Sequence, residues 1–525
     1  MTTNTFLRGA AILTVAGLIS KLLGALYRIP FFRVVGPEGM GLYQMAYPLY
    51  TMLLAVSSAG IPVAVSKLIS ENLAHRDFAG INKVFRISLV FITVVSGLTS
   101  VLLMQGAHYL ADHVLHDARA YYSIAAIAPA VFFVGIMSVF RGYFQGFQEM
   151  VPTAVSQVIE QFTRVITVLV GAYVCLPQGV EFAAAAATFG AVTGSMAGAV
   201  FLGGLYLLKP YYSLTPIGYV GGFGGESRGT LRILRRLVVL ALPISLGVLV
   251  MPVMQTLDAL TVPGRLQLAG YSVHRAAQLY GELTGGAVTL INLPTVITIS
   301  LAASLVPAIS GYLESANYRD IQRQTASAMQ ITMLVCLPAA VGLAVLAAPI
   351  SDLLFDCPEA GLPLAFVAPA ALLLGVHQTS AGILQGMGKT ILPVLNLVLG
   401  ALTKFACNYF LTAMPSIGII GAALGTVLGF LVSSYLNVFF IRRFSGWNPN
   451  YRSLLLRPVL AVTIMAVTVY FSYSQLRLVL GGNWATAVSI VTGAVVYLGI
   501  LGAIGIFREL GISSPLRFIG GFRRR

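Results

Sequence analysis

Charge is scarce in this 525-residue chain: only 9% of it is Asp, Glu, Lys or Arg, against 57% hydrophobic residues. Soluble domains carry about 25% charged residues, and a mean hydropathy of +0.87 excludes a water-soluble globular fold. Cysteine is sparse too. Cys175, Cys336, Cys357 and Cys407 form no CxxC and no Cys/His metal spacing, so small apolar thiols inside helices are expected and no metal centre is. No GxxxxGK[ST] occurs, so the chain carries no ATPase of its own. Despite a net charge of +15, no basic stripe with interleaved aromatics points to nucleic acid as a partner. The first apolar run, Ala10 to Val35, carries Lys21 and Arg28 and lacks a clear small-residue cleavage site, which reads as a retained span. Every connection is short. The longest, 209–235, contains Pro210, Pro216 and the run Gly221-Gly222-Phe223-Gly224-Gly225. None can hold a folded catalytic domain, so a membrane enzyme such as a saccharide polymerase or ligase is not expected.

What is present is a series of apolar runs of about 20 residues from end to end. They predict an all-α polytopic membrane protein with about fourteen transmembrane helices. With the N-terminus in the cytoplasm, about 23 of the 32 Lys and Arg fall on that side, including Arg232, Arg235, Arg236, Arg442, Arg443 and Arg523 to Arg525. Arg33, Arg119, Arg265, Arg275 and Arg477 fall outside. That bias places both termini in the cytoplasm.

An internal repeat organises the spans. Ala128-Pro129-Ala130, Gly135, Gly142 and Gln145-Gly146 reappear as Ala368-Pro369-Ala370, Gly375, Gly382 and Gln385-Gly386, an offset of 240. At the same offset Thr163-Arg164 matches Thr403-Lys404. Upstream, Pro62 to Ser66 and Arg76-Asp77 resemble Pro307 to Ser310 and Arg319-Asp320; downstream, Gly190 and Gly194 resemble Gly425 and Gly429. Helix packing alone accounts for the Gly and Pro but not for their common register. About six spans separate the copies, so the halves share one orientation, as in a rocking, alternating-access carrier. The expected organisation is a six-helix bundle over 1–208, a cytoplasmic linker over 209–235, a second, pseudo-symmetric six-helix bundle over 236–441, and two accessory helices with a basic tail over 442–525.

Ionisable groups at membrane depth are functional candidates by default. Lys21 and Arg28 lie seven residues apart, on one helix face and about 10 Å apart along the axis; they face a cavity or snorkel to the headgroups. Glu160 and Arg164, at i,i+4, form a self-neutralising pair or part of a cationic chamber with Lys404, which has no carboxylate four residues before it. Asp258 reads as a counter-ion, a proton or sodium site, or a group near the outer headgroups. His377, Asn292, Asn396 and Asn408 read as helix–helix hydrogen-bonding groups. A mainly basic cavity selects anions, and phosphates suit Arg and Lys. The membrane potential favours outward movement of negative charge by about 2.3 kcal/mol per 100 mV.

Ser20-Lys21-Leu22-Leu23-Gly24 with Arg28, Gly36-Pro37-Glu38-Gly39-Met40-Gly41, Gly60-Ile61-Pro62-Val63-Ala64, Arg141-Gly142-Tyr143-Phe144-Gln145-Gly146 and Leu305-Val306-Pro307-Ala308 give the chain a family likeness. It resembles, along its whole length, the stage V sporulation protein B and Firmicute lipid II flippase branch of the multidrug/oligosaccharidyl-lipid/polysaccharide exporter superfamily. The resemblance implies a flippase for an undecaprenyl-pyrophosphate-linked cell-wall precursor or a related lipid-linked saccharide, with basic residues of the first span holding the pyrophosphate. Lys21 and Arg28 match that pattern in type and face. Gly285-Gly286-Ala287-Val288-Thr289 departs from it, since proteobacterial lipid II flippases carry an acid–arginine pair there.

The combined expectation is a flippase of the bacterial plasma membrane serving cell-wall or spore-cortex peptidoglycan synthesis. Lys21, Arg28, Arg164 and Lys404 are its candidate substrate contacts, Glu160 and Asp258 its charge-balance or ion-coupling groups, and Pro62, Pro294 and Pro307 its bending points. No cofactor is expected beyond a coupling H+ or Na+ and the membrane potential. Wall-synthesis enzymes are candidate partners alongside membrane lipids. The rival on the same fold is a cation-coupled multidrug exporter, which needs acids in the cavity.

Overall fold

The computed structural model describes residues 3–208 and 229–505. Most of the expected linker, with its glycine run, and the basic tail lie outside the described residues. Among those described, all regular structure is helical, as it must be where no water can satisfy backbone N–H and C=O groups. Among the described residues, twelve helical segments are long and apolar enough to cross a membrane, or thirteen if the bent pair Pro358–Val367 and Pro369–Gly386 is one span. The first of the twelve, Val15–Ala74, runs for 60 residues. At about 1.5 Å per residue that is roughly three bilayer cores. It is broken at Tyr27, at Gly36 and at Ser58–Gly60. Gly36 has φ +68° directly before Pro37, a backbone that favours a residue without Cβ.

The chain divides into two compact units. The first comprises residues up to Gly264 together with Tyr271–Gly281. It holds α1 (Thr3–Leu26), α2 (Arg28–Ser57), α3 (Ile61–Ala74), α4 (Phe78–Tyr109), α5 (Ala120–Gly146), α6 (Met150–Cys175), α7 (Val180–Leu208), nearly all of α8 (Thr230–Leu268) and α9 (Val273–Gly281). The sequence opens the second bundle at 236, yet α8 belongs here. Ile233, Leu237 and Ala241 join the core formed by α3, α4 and α5. Polar anchors fix it further: Arg236 Nη2 donates to Glu71 Oε2 at 2.7 Å, Gly60 N to Ser245 Oγ at 3.1 Å, and Thr256 Oγ1 to Pro48 O at 3.0 Å.

The second unit comprises Arg265–Gly270 and everything from Glu282. Its helices are α10 (Val288–Asn292), α11 (Thr295–Glu314), α12 (Tyr318–Val345), α13 (Ala347–Phe355), α14 (Gly361–Val367), α15 (Pro369–Gly386), α16 (Ile391–Leu411), α17 (Ile419–Ser445), α18 (Arg457–Leu480) and α19 (Gly482–Ile504).

Each unit repeats one packing scheme. In the first, α3, α4 and α7 pack on α5, and α6 packs on α7; in the second, α11, α12 and α17 pack on α15, and α16 packs on α17. Glycines set the close approaches. Gly142 and Gly146 face Pro62 and Ile69, while Gly382 and Gly386 face Ala302 and Ile309. Gly135 faces Ser96, and Gly375 faces Cys336. The turns follow the same register. Residues with positive φ occur at Arg76, His116 and Gln148 and again, 240 positions on, at Ala316, Asp356 and Gly388. Asp77 caps α4 by accepting from Gly80 N; Asn317 caps α12 by accepting from Asp320 N.

The upstream register therefore differs from the one expected. Packing pairs Pro62 with Ala302 rather than with Pro307, and the caps pair Arg76-Asp77 with Ala316-Asn317 rather than with Arg319-Asp320. The matching letters are displaced by several residues from the positions that make equivalent contacts, and the contacts keep the offset of 240. Of the expected bending points, Pro62 lies in the first turn of α3 and Pro294 at the N-cap of α11, where a missing N–H costs little. Only Pro307 sits inside a helix.

Candidate functional site

The ionic centre of the first unit is built on α5 and α6. Glu160 Oε1 accepts from Arg164 Nη2 at 2.7 Å, and Oε2 accepts from Arg141 Nη2 at 2.9 Å. Arg141 Nε donates to Ser156 Oγ at 3.1 Å, which fixes the plane of the guanidinium. The three side chains are only 11–16% exposed. One carboxylate thus bridges two guanidiniums, and the triad keeps one surplus positive charge. Gly194 of α7 lies against Glu160 O and Arg164 Cβ, so α7 closes over the triad because no side chain stands between.

An aromatic wall adjoins it. Tyr43, Tyr47 and Tyr50 are spaced i, i+4, i+7 on α2 and so share one face. Tyr43 and Tyr47 stack at 5.4 Å, Tyr50 follows at 5.9 Å, and the hydroxyls of Tyr27 and Tyr43 lie 3.0 Å apart. The Arg28 guanidinium is 6.0 Å from the Tyr47 ring centre, within cation–π range. Tyr27, Tyr47 and Tyr50 all lie near Arg164, which sets the wall beside the triad. Here the Tyr50 hydroxyl and Arg164 Nε are buried and make no hydrogen bond in the structure.

Of the sequence candidates, the structure brings together Arg28, Glu160 and Arg164. Lys21 is not in the cluster. It is exposed on α1, which packs on α6 through Gly24 against Gln161 and a 3.4 Å hydrogen bond from Ser20 Oγ to Gln157 O. Lys404 is 8% exposed on α16 of the second unit, beside Gly425 and Gly429 of α17. Asp258 is half-buried on α8 and belongs to the first unit, not to the second half.

Sequence reasoning missed Arg141 as the third member of the triad, and it missed Glu282. That acid, 1% exposed, opens a π-helical turn, Glu282–Ala287, in the second unit. His377 is a helix–helix group: its Nδ1 lies 2.8 Å from Ser433 Oγ. Asn396 Nδ2 donates to Asn437 Oδ1 at 2.8 Å, whereas Asn292 Nδ2 donates within its own helix to Val288 O.

A second ionic cluster in the first unit ties α9 to α2. Asp117 accepts from Arg119 Nε at 3.0 Å and Nη2 at 2.8 Å; Glu38 also pairs with Arg119 and lies 2.6 Å from His274 Nδ1. Burial works against the Arg119 charge, but the hydrogen bonds that it donates to Asp117 and Glu38 outweigh that and raise its pKa.

The family model described as "Polysaccharide biosynthesis protein" matches residues 6–313, and the MatE model matches 284–410. Stage V sporulation protein B of Bacillus subtilis (strain 168) is 33% identical over 83% of this chain and 83% of its own length. The chain belongs to the polysaccharide biosynthesis protein family. Lipid II flippase MurJ of the same organism is 30% identical over 88% of this chain and 87% of its own. A solved structure of lipid II flippase MurJ in an inward closed conformation superposes with TM-score 0.72, covering 95% of this chain and 99% of that one, at 15% identity. This family member is accordingly a multi-pass bacterial membrane protein of the exporter superfamily named above, in its stage V sporulation protein B and MurJ-like branch, and not an enzyme.

Proposed function

We propose that this protein is an alternating-access flippase that moves an anionic lipid-linked saccharide, lipid II or a related precursor, to the outer leaflet for cell-wall or spore-cortex peptidoglycan. The observation that carries the reading is the charge balance of the buried triad: Arg141 and Arg164 share the one carboxylate of Glu160, which leaves a surplus positive charge beside a wall of tyrosine rings that Arg28 also faces. Guanidiniums present paired donors that match phosphate oxygens. The spare Tyr50 hydroxyl and Arg164 Nε add hydrogen-bonding capacity for a ligand. The relatives named for stage V sporulation and for lipid II support the same substrate class.

In this reading Arg28 and Arg164 contact the pyrophosphate of an undecaprenyl-linked saccharide, Lys404 is a further basic contact for substrate, and Lys21 guides its approach. Glu160 keeps the arginines in place, Asp258 balances charge or couples H+ or Na+, and Pro62, Pro294 and Pro307 absorb bending. Fourteen spans, two pseudo-symmetric bundles, cytoplasmic termini and a wall-synthesis partner belong to the same proposal.

The test is outward exposure of lipid II in cells depleted of their own flippase and supplied with this protein. Restoration is expected, with Arg28→Ala losing most of it and Lys21→Ala losing less at equal expression. A well-expressed protein that restores nothing, or an Arg28→Ala variant with full activity, overturns the reading. The MatE match over 284–410, together with buried Glu282, favours one rival, a cation-coupled drug exporter. Drug resistance on overexpression, abolished by Glu282→Gln or Asp258→Asn, would select that rival.

A further inference from the structure

A cleft of about 360 Å³ opens in the second unit between the first turns of α12 and the segment joining α17 to α18. Arg319 and Arg323 line one wall, with Gln330 deeper on the same helix; Trp447, Asn448 and Asn450 line the other. No carboxylate is among the lining residues. Asp320, next in sequence to Arg319, is turned to the cap, where Asn317 Nδ2 donates to its Oδ2 at 2.7 Å. The second wall is fixed in place: Gln322 Nε2 donates to Ser445 O at 2.8 Å, and Trp447 N donates to Ser445 Oγ at 3.1 Å. Trp447 is 5% exposed.

Two features call for an anion. Arg319 and Arg323, both exposed at the mouth of the cleft, stand one turn apart, an i,i+4 pair of like charges whose mutual repulsion a bound anion would relieve. Among the described residues neither makes an ion pair or hydrogen bond. The second feature is Gln330 Nε2, which is buried with no hydrogen-bond partner and supplies a spare donor. Two guanidinium forks, an amide donor and two asparagine amides fit the oxygens of a phosphate. An indole on the same wall suits the boundary between lipid and water.

We infer that this cleft binds a phosphate group, carried by an anionic phospholipid headgroup or by a soluble phosphate. It shares no residue with the arginine–tyrosine cluster of the first unit, and the inference does not depend on what is transported. The chain has only two tryptophans, so Trp484→Phe leaves Trp447 as a reporter within the cleft.

The purified full-length Trp484→Phe protein in detergent is titrated with short-chain phosphatidylglycerol, short-chain phosphatidylcholine and inorganic phosphate. Saturable change in Trp447 emission with phosphatidylglycerol but not phosphatidylcholine is expected, and Arg319→Gln with Arg323→Gln should raise the midpoint at least about tenfold. Inorganic phosphate that competes in the millimolar range identifies a soluble phosphate as sufficient; lipid binding without such competition identifies the headgroup. If the double variant does not purify as a monodisperse protein, Arg323→Gln alone is read, with a several-fold weakening expected. No saturable change with either phosphate source, or an unchanged midpoint in the variants, overturns the inference.

Discussion

Arg164 and Lys404 occupy the same place in the two units, yet their surroundings differ. Beside Arg164 stand Glu160 and Arg141; the positions equivalent to these two are Gly400 and Ala381. The backbone around both is alike. Gly194 lies against Glu160 O and Arg164 Cβ, and Gly429 lies against Gly400 O and Lys404 Cβ. The repeat therefore holds its helix contacts while its electrostatics diverge. A cation persists in each copy, braced by a salt-bridged fork in the first and carried on a flexible lysine stem in the second.

The largest expected effect comes from removing the brace. Glu160→Gln leaves two guanidiniums facing each other at 11–16% exposure, and loss of one partner of a buried pair costs about 3–5 kcal/mol. A sharp fall in melting temperature in detergent, with loss of flipping, is the expected result; an unchanged melting curve would mean the triad is structurally idle. Next come the twin glycines. A Cβ at Gly194 would stand 2.6 Å from Glu160 O, and one at Gly429 would stand 2.8 Å from Gly400 O. Each Ala substitution should cost about 1–3 kcal/mol of overpacking, measured by the same melts. Unequal losses would break the equivalence of the two sites. The smallest effect should come from rewriting the first unit in the pattern of the second, with Arg141→Ala, Glu160→Gly and Arg164→Lys together. No like-charged pair is left, so the cost should approach that of one helical glycine, about 1 kcal/mol. A triple variant as unstable as Glu160→Gln would show that Glu160 does more than neutralise.

Much of this was legible in the residues. Apolar runs marked the helices, and the spacing of Gly135, Gly142 and Gly146 against Gly375, Gly382 and Gly386 marked equivalent close approaches within each unit. Glu160 and Arg164 were legible because their interaction is local, one turn apart on one helix. Arg141 was not, because it reaches Glu160 from another helix and only packing brings them together. The tyrosine wall was hidden likewise: Tyr27 joins Tyr43 only because α2 turns back near Gly36 and Pro37. The placement of α8 escaped notice because its anchors, Ser245 to Gly60 and Thr256 to Pro48, are single side chains paired over about 200 positions of chain, with no pattern in hydropathy. The upstream register slipped because identical letters, such as the prolines at 62 and 307, outweighed the positions that touch equivalent neighbours.

The left-handed residues at Arg76, His116 and Gln148, matched at Ala316, Asp356 and Gly388, carry a consequence for how the protein tolerates change. The joints that hold these corners are spaced identically along the chain in both copies, so between corners neither copy has a net gain or loss of residues relative to the other. Such joints act as rulers: each fixes the angular phase at which the next helix begins, and one added residue would rotate that helix by about 100°. Insertions at these corners should therefore be rejected even where point substitutions are accepted. For the same reason, segments 76–164 and 316–404 are natural cassettes for exchange, with boundaries that need no trimming.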